Sequence, residues 1–293
     1  MNINLNIRES IGLIGESGSG KSTLAQAILG VLPENAIVTK GKIIFKGVDL
    51  IENKKEIERL RKKDISIVFQ DPYSYLTPVM KIGELLIEKL KLCYPNMTNE
   101  NARKKAKELL SLVKIPDPEN VLDRYPFQLS GGMAQRVSIA LAISTNPSLL
   151  IADEPTSALD LTTQAQIIKL LKNLSSNFNV ALFLITHDLS LVSNLVNRVY
   201  IMYSGKIVEE DNTVGLYRNP KHPYTKLLLE SVKKLQGLQT NGSIMDIRKS
   251  GEGNINGCAF RDRCPFATNK CVNEPPPIEI FPNKKVYCWI YVE

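Results

Sequence analysis

Gly15, Gly20, Lys21 and Ser22 fall at the spacing G-x-x-x-x-G-K-S within the stretch Gly15, Glu16, Ser17, Gly18, Ser19, Gly20, Lys21, Ser22, Thr23. Glycines so placed let successive backbone N–H groups turn toward one anion, and a following helix adds the positive end of its dipole. Lys21 would neutralise the outer phosphates of a nucleoside triphosphate, and Ser22 would ligate Mg²⁺. Ordinary residue frequencies produce such a match by chance in roughly one chain of this length in a hundred. A glycine turn without a ligand is the weaker reading.

Far downstream, the apolar run 149–152 leads into Asp153 and Glu154. A buried strand ending in two carboxylates presents them at the carboxyl edge of an α/β sheet, where ligands bind. Asp153 is placed to hold Mg²⁺ directly or through water, and Glu154 to polarise the water that attacks the γ-phosphate. An apolar run before Asp-Glu is weak evidence by itself, and it gains force from the glycine loop.

The elements that must carry these groups are legible as periodicities. Ile3, Leu5 and Ile7 alternate with polar residues as a short strand does, and 11–15 reads as a buried strand entering the loop. A helix is expected over 21–32, β structure over 36–46 and 65–69, and a charged helix between them. From Pro72 to about Ser130 the apolar spacing is helical. Strands at 149–153 and 180–186, each followed by a helix, then predict a mostly parallel sheet with helices on both faces, closed by strands near 199–210. Residues 1–71 and 131–233 are thus expected to form an ATP-binding core around a helical subdomain at 72–130. Residues 234–257, poor in apolar residues, read as a linker to a cysteine-rich extension at 258–293.

The chain has 293 residues, 43% of them apolar and 23% charged, which suits a globular protein with a large core. It shows neither a signal-peptide pattern nor an apolar run long enough to span a membrane, so a cytosolic location is expected. The net charge of +7 lies mostly in mixed runs such as 53–64, which read as solvated helix faces rather than a nucleic-acid footprint. Cys93 stands alone and reads as a small buried hydrophobe.

Further stretches bring a resemblance. Leu129-Ser130-Gly131-Gly132-Met133 resembles the signature motif of ATP-binding-cassette (ABC) ATPases, and Gln70, at the end of ISIVFQ, resembles their Q-loop glutamine. SALD at 157–160 resembles the D-loop, and His187 resembles the switch histidine. Singly, Ser130 could be a helix cap and His187 a neighbour of one; found together and in order, these readings lose ground. The resemblance implies a head-to-tail dimer, with itself or a paralogous ATPase subunit. Two ATP molecules would lie between the glycine loop of one subunit and Ser130, Gly131 and Gly132 of the other. It further implies that His187 contacts the γ-phosphate, Gln70 senses Mg²⁺ and the attacking water, and Asp160 couples the two sites.

Within that family, 71–86, NPKHPYT at 219–225 and the cysteine segment are similar to ATPase subunits of peptide and nickel importers. Integral membrane permeases, and indirectly a solute-binding protein, are the partners so implied, on the cytoplasmic face of the membrane. Cys258, Cys264, Cys271 and Cys288 follow a C-x₅-C-x₆-C-x₁₆-C spacing that lacks the close pairs of structural zinc sites. Relatives of this extension imply a four-iron four-sulfur cluster; zinc ranks second and no metal third. No Tyr, Phe or Trp precedes Phe45, so the aromatic that usually stacks on adenine in this family is not seen. A start assigned too far downstream and a protein that holds the base weakly both account for it. The alternative is a soluble ABC protein acting on nucleic acid or ribosomes, ranked second because neither paired cassettes nor a long coiled-coil insertion is visible; a P-loop kinase is discounted, since LSGGM and SALD have no use in one.

Overall fold

The structure is a computed structural model, and it describes residues 1–235, 257–282 and 284–292. In chain order the elements are β1 (Ser10–Ile14), α1 (Lys21–Leu29), β2 (Ile44–Phe45), β3 (Val48–Asp49), α2 (Lys54–Lys63) and β4 (Ile65–Val68). Then come α3 (Ile82–Cys93), α4 (Asn99–Leu112), α5 (Pro118–Leu122), α6 (Gly131–Ile143), β5 (Leu149–Asp153), α7 (Leu161–Phe178) and β6 (Ala181–Thr186). The chain closes with α8 (Leu189–Val192), β7 (Arg198–Tyr203), β8 (Lys206–Asn212), α9 (Thr213–Arg218), α10 (Pro223–Leu235), β9 (Ile278–Phe281) and β10 (Lys284–Val286). The class is mixed α/β. By internal contacts the chain divides into two units, one of 6–9 and 22–184, the other of 1–5, 10–21 and 185–293.

In the first unit β4 and β5 run parallel, with Ile65 opposite Leu149 and Val68 opposite Ala152, and every residue of both strands is buried. Continuous apolar runs of this kind are what a sheet covered on both faces demands. The helices here start on side-chain caps. Thr98 accepts from the N–H of Asn101, Asp117 precedes Pro118 at the first turn, and Glu84 reaches back to the N–H of Lys81 at 2.9 Å. Apolar residues three and four apart, such as Ile82, Leu86 and Leu90 of α3 and Ala102, Ala106, Leu109 and Leu110 of α4, are buried together.

In the second unit β1 and β7 are parallel, with Ile11 opposite Arg198 and Ile14 opposite Ile201. Beyond β7 the pairing turns antiparallel: β7 to β8 through the turn at Ser204 and Gly205, both at positive φ, then β8 to β10 and β10 to β9. The C-terminal segment therefore extends a sheet edge, with Lys285 opposite Glu210 and Val286 opposite Glu209. β8 carries three consecutive buried acids, each with a partner. Glu209 accepts the N–H groups of Lys221 and His222 at 2.8 Å, Glu210 pairs with Arg198 at 2.7 Å, and Asp211 pairs with Lys284. Burial pushes the Glu209 carboxyl up from its ordinary value.

Several sequence expectations are corrected. Residues 1–6 form no strand, and Ile7 is 89% exposed. The backbone carbonyl of Asn4 instead accepts from Arg198 and from the hydroxyl of Tyr200, since three alternating residues are too few to compete with side-chain anchoring. The β structure expected over 36–46 is reduced to Ile44–Phe45, paired with Val48–Asp49. Cys93 is half-exposed, and its thiol donates to the carbonyl of Lys62 at 2.9 Å, because it ends α3 at the surface. The strands expected near 199–210 to close a mostly parallel sheet are present, and their pairing is antiparallel. The linker expected at 234–257 lies outside the described residues except at its ends.

Candidate functional site

The glycine loop belongs to the second unit and is shaped by close packing. A Cβ on Gly15 would stand 2.2 Å from the carbonyl oxygen of Met202, and Gly20 sits at φ +99°, so neither position tolerates a side chain. The N–H of Ser19 donates to the carbonyl of Glu16 at 3.2 Å, and the carbonyl of Ser19 accepts from Gly205 at 2.9 Å. Lys21 is only 4% exposed, and its ammonium donates to the carbonyls of Gly15 and Glu16 at 2.8 and 2.9 Å. The loop is thus curled around a buried positive charge. The hydroxyl of Ser19 is buried there without a hydrogen-bond partner, the kind of unmet polar atom that an anion's oxygens would satisfy.

His187 follows β6 directly and is exposed. Next to it Asp188 caps the short α8, accepting from the N–H of Ser190 at 2.8 Å. Ser22 and Thr23, the second and third residues of α1, are exposed and belong to the first unit.

The remaining residues lie in the first unit. Ser130 is exposed at the N-cap of α6, where its hydroxyl accepts from the N–H of Met133 at 3.3 Å. Residues 134–143 of that helix are all buried, so the core fixes the direction in which Ser130, Gly131 and Gly132 are presented. A Cβ on Gly132 would meet the methyl of Thr163 at 2.7 Å. Asp160 caps α7, and the hydroxyl of Thr163, with its N–H, holds the Asp160 carboxyl below the ordinary range. Asp153 ends β5 buried, and Glu154 follows at φ +46°, a conformation a non-glycine residue adopts only when its surroundings require it. Gln70, just past β4, is exposed. Its neighbour Phe69 accepts at its carbonyl from Gln135 of α6 at 3.4 Å.

The family profile described as ABC transporter matches residues 1–157. The chain belongs to the ABC transporter family. A second profile, described as the C-terminal region of oligopeptide/dipeptide transporters, matches residues 208–271. This ABC chain is 42% identical over 96% of its length to the dipeptide transport ATP-binding protein DppD of Haemophilus influenzae, of which it covers 85%. It is 40% identical over 100% of its length to the oligopeptide transport ATP-binding protein OppD of Escherichia coli, covering 87% of it. Among solved structures, the dimeric ATP-binding cassette MJ0796 bound to ADP and Pi matches at TM-score 0.65 and 31% identity, over 72% of this chain and 88% of that one.

The cysteines of this ABC chain come together within the second unit. Cys258, Cys264, Cys271 and Cys288 all line one cavity of ≈ 420 Å³, with His222 and Phe260 on its wall. None is in a disulfide, and the N–H of Cys258 donates to the carbonyl of Cys271 at 3.0 Å. Burial pushes the thiols of Cys258 and Cys288 up and that of Cys264 to about 11. Among the described residues no three His, Cys, Asp or Glu side chains form a group that could hold a single metal ion. The four thiols surround a void instead.

Sequence reasoning left two residues near the loop without a role. Tyr224 accepts the N–H of Glu16 on its hydroxyl at 3.1 Å, and Arg263 is ion-paired to the Glu16 carboxylate. The stretch NPKHPYT and the arginine preceding Cys264 were both in view, but only the fold brings them to the glycine loop.

Proposed function

We propose that this chain binds and hydrolyses ATP to energise a membrane importer of di- and oligopeptides, from the cytoplasmic face of the membrane. What carries the reading is the union in one chain of an ABC transporter profile and a peptide-transporter C-terminal profile, over a glycine loop curled round a buried lysine. Relatives named for dipeptide and oligopeptide transport support peptides ahead of nickel as the solute. They give no support to a soluble protein acting on nucleic acid. No helix among the described residues is long and apolar enough to cross a membrane, so the membrane path must come from permease partners. Tyr73, Val79 and Phe127, large apolar residues exposed in the helical region, are the face offered to them.

Ser22, Asp153 and Gln70 would hold Mg²⁺, which when bound adds positive charge where the transferring phosphoryl group becomes more negative. Lys21 and the loop N–H groups bind the phosphates, Glu154 orients and deprotonates water, and His187 contacts the γ-phosphate. The exposure of Ser130 at its helix N-terminus suits a cradle completed on a second subunit's nucleotide, with Asp160 at the junction. The dimeric structure of the similar cassette MJ0796 supports that arrangement.

The four cysteines would hold a four-iron four-sulfur cluster, which when bound would staple the C-terminal segment or respond to redox state. What supports this reading is that the four thiols line one cavity with no disulfide among them, at a spacing without the close pairs of structural zinc sites.

The deciding experiment is co-purification with reconstitution. Integral membrane permeases should accompany the tagged chain, and hydrolysis in proteoliposomes should rise when a peptide-loaded binding protein is added. Recovery with nucleic acid instead, and no stimulation by peptide, would overturn the assignment.

A further inference from the structure

A carboxylate in a loop that holds a triphosphate adds a like charge, which repels unless it is paired or turned away. Glu16 is nevertheless there. Its side chain is turned onto Arg263: Nη1 donates to Oε2 at 2.8 Å and Nη2 to Oε1 at 3.1 Å, the two-pronged geometry specific to a guanidinium. Arg263 is itself held. Its Nη1 also reaches the hydroxyl of Tyr203 at 3.4 Å, and its guanidinium lies over the rings of Tyr203 and Phe260 at 5.6 and 5.8 Å. Phe260 packs in turn against Tyr224 at 5.4 Å, and the Tyr224 hydroxyl accepts the backbone N–H of Glu16. Glu16 is therefore gripped at both peptide and carboxylate by residues more than two hundred positions away in the chain, all in the same unit.

We infer that Arg263 is a positioning residue of the phosphate loop, acting through Glu16, so that the cysteine-bearing segment sets how well the loop receives a nucleoside triphosphate. The inference rests on the nucleotide reading given above. Its physical basis is that a glycine-rich loop has little stiffness of its own, while converging N–H groups bind an anion well only when their directions are fixed beforehand. The anchor at Glu16 supplies that stiffness from outside the loop. Arg263 immediately precedes Cys264, one of the residues lining the cysteine cavity.

The test uses the full chain in four forms, wild type, R263E, E16R and the reversed pair E16R/R263E, with R263K as a mild control. Binding is followed by titration with a fluorescent ATP analogue and Mg²⁺, turnover by phosphate release, and folding by thermal unfolding. R263E should raise the half-saturating nucleotide concentration about tenfold with kcat within about twofold, and R263K should fall between, because an ammonium cannot form the fork. E16R should also weaken binding, about threefold, although it brings positive charge toward the phosphates; the reversed pair should recover to within about threefold of wild type. Tighter binding by E16R, with additive effects in the pair, would reduce the contact to simple charge and overturn positioning. Wild-type affinity in R263E, with or without a lowered melting temperature, would overturn it as well. Should R263E fail to fold, R263K against the reversed pair decides by the same criteria. Binding that Lys21→Ala abolishes while R263E leaves untouched sinks this inference alone; no binding by the wild type sinks the nucleotide reading.

Discussion

Tyr73 donates its hydroxyl proton to the carbonyl oxygen of Leu129 at 2.9 Å, which joins the segment after Gln70 to the residue before Ser130. The Gln135 amide makes a second link from α6 to the carbonyl of Phe69. Removing the first link with Tyr73→Phe should cost about 1 kcal/mol of stability and lower turnover at saturating ATP up to about fivefold, with nucleotide affinity nearly unchanged. Steady-state hydrolysis beside equilibrium binding checks this, and a change confined to affinity would contradict it.

Glu154 sits at positive φ directly after the β5 strand that ends in Asp153. Glu154→Gln keeps shape and removes the proposed base, so turnover should fall by about 10²-fold or more while nucleotide still binds. Phosphate release in single-turnover conditions is the measurement, and undiminished hydrolysis would move the base elsewhere.

Gly15 has the carbonyl of Met202 where a side chain would begin. Backbone cannot yield as a flexible side chain can, so Gly15→Ala should displace the loop and weaken ATP binding at least about tenfold. Gly18, with open space around it, should tolerate alanine better despite its φ of +79°. Calorimetric titration of both variants compares them directly.

His222 is fully buried, and its Nδ1 accepts the N–H of Tyr224 at 3.1 Å. Burial holds the ring far down, at about 3 against an ordinary 6.5. The folded ring refuses a proton that the unfolded chain takes up, so stability is full above pH 6.5 and declines as pH falls from 6.5 toward 3. The slope from this residue approaches ~1.4 kcal/mol per pH unit. His222→Asn keeps an acceptor near Nδ1 and should remove that slope, read from urea denaturation at successive pH values; an unaltered slope would refute it.

The cysteine cavity predicts iron and acid-labile sulfide in protein purified without oxygen. Cys264→Ser and Cys288→Ser should each lower the iron content, and zinc alone in the wild type would reverse the ranking of metals. Because burial keeps Cys264 protonated, with its thiol at about 11, reloading must release protons and should proceed better at high pH than low. Iron uptake followed at several pH values tests the sign.

Much of the cassette could be read directly from the sequence because its signals are local. The strand entering the glycine loop, the helix after it, β4, β5 and the capped helices between them depend on runs, caps and spacings within a few turns. The glycine loop, Asp153 and Glu154 were singled out from such local patterns, and Ser130 from its resemblance to the family's signature motif. That residues 206–210 form a closing strand was legible, but the partners of its acids were not. Glu209, Glu210 and Asp211 are buried because Arg198, Lys284 and two backbone N–H groups from Lys221 and His222 meet them. The same holds for Arg263 and Tyr224 on Glu16, and for four cysteines spread over 258–288 that share one cavity. Short-range pattern determined which chemistry this chain carries. Only tertiary structure decided which remote side chains hold that chemistry in place, since partners far apart in the chain leave no periodicity to read.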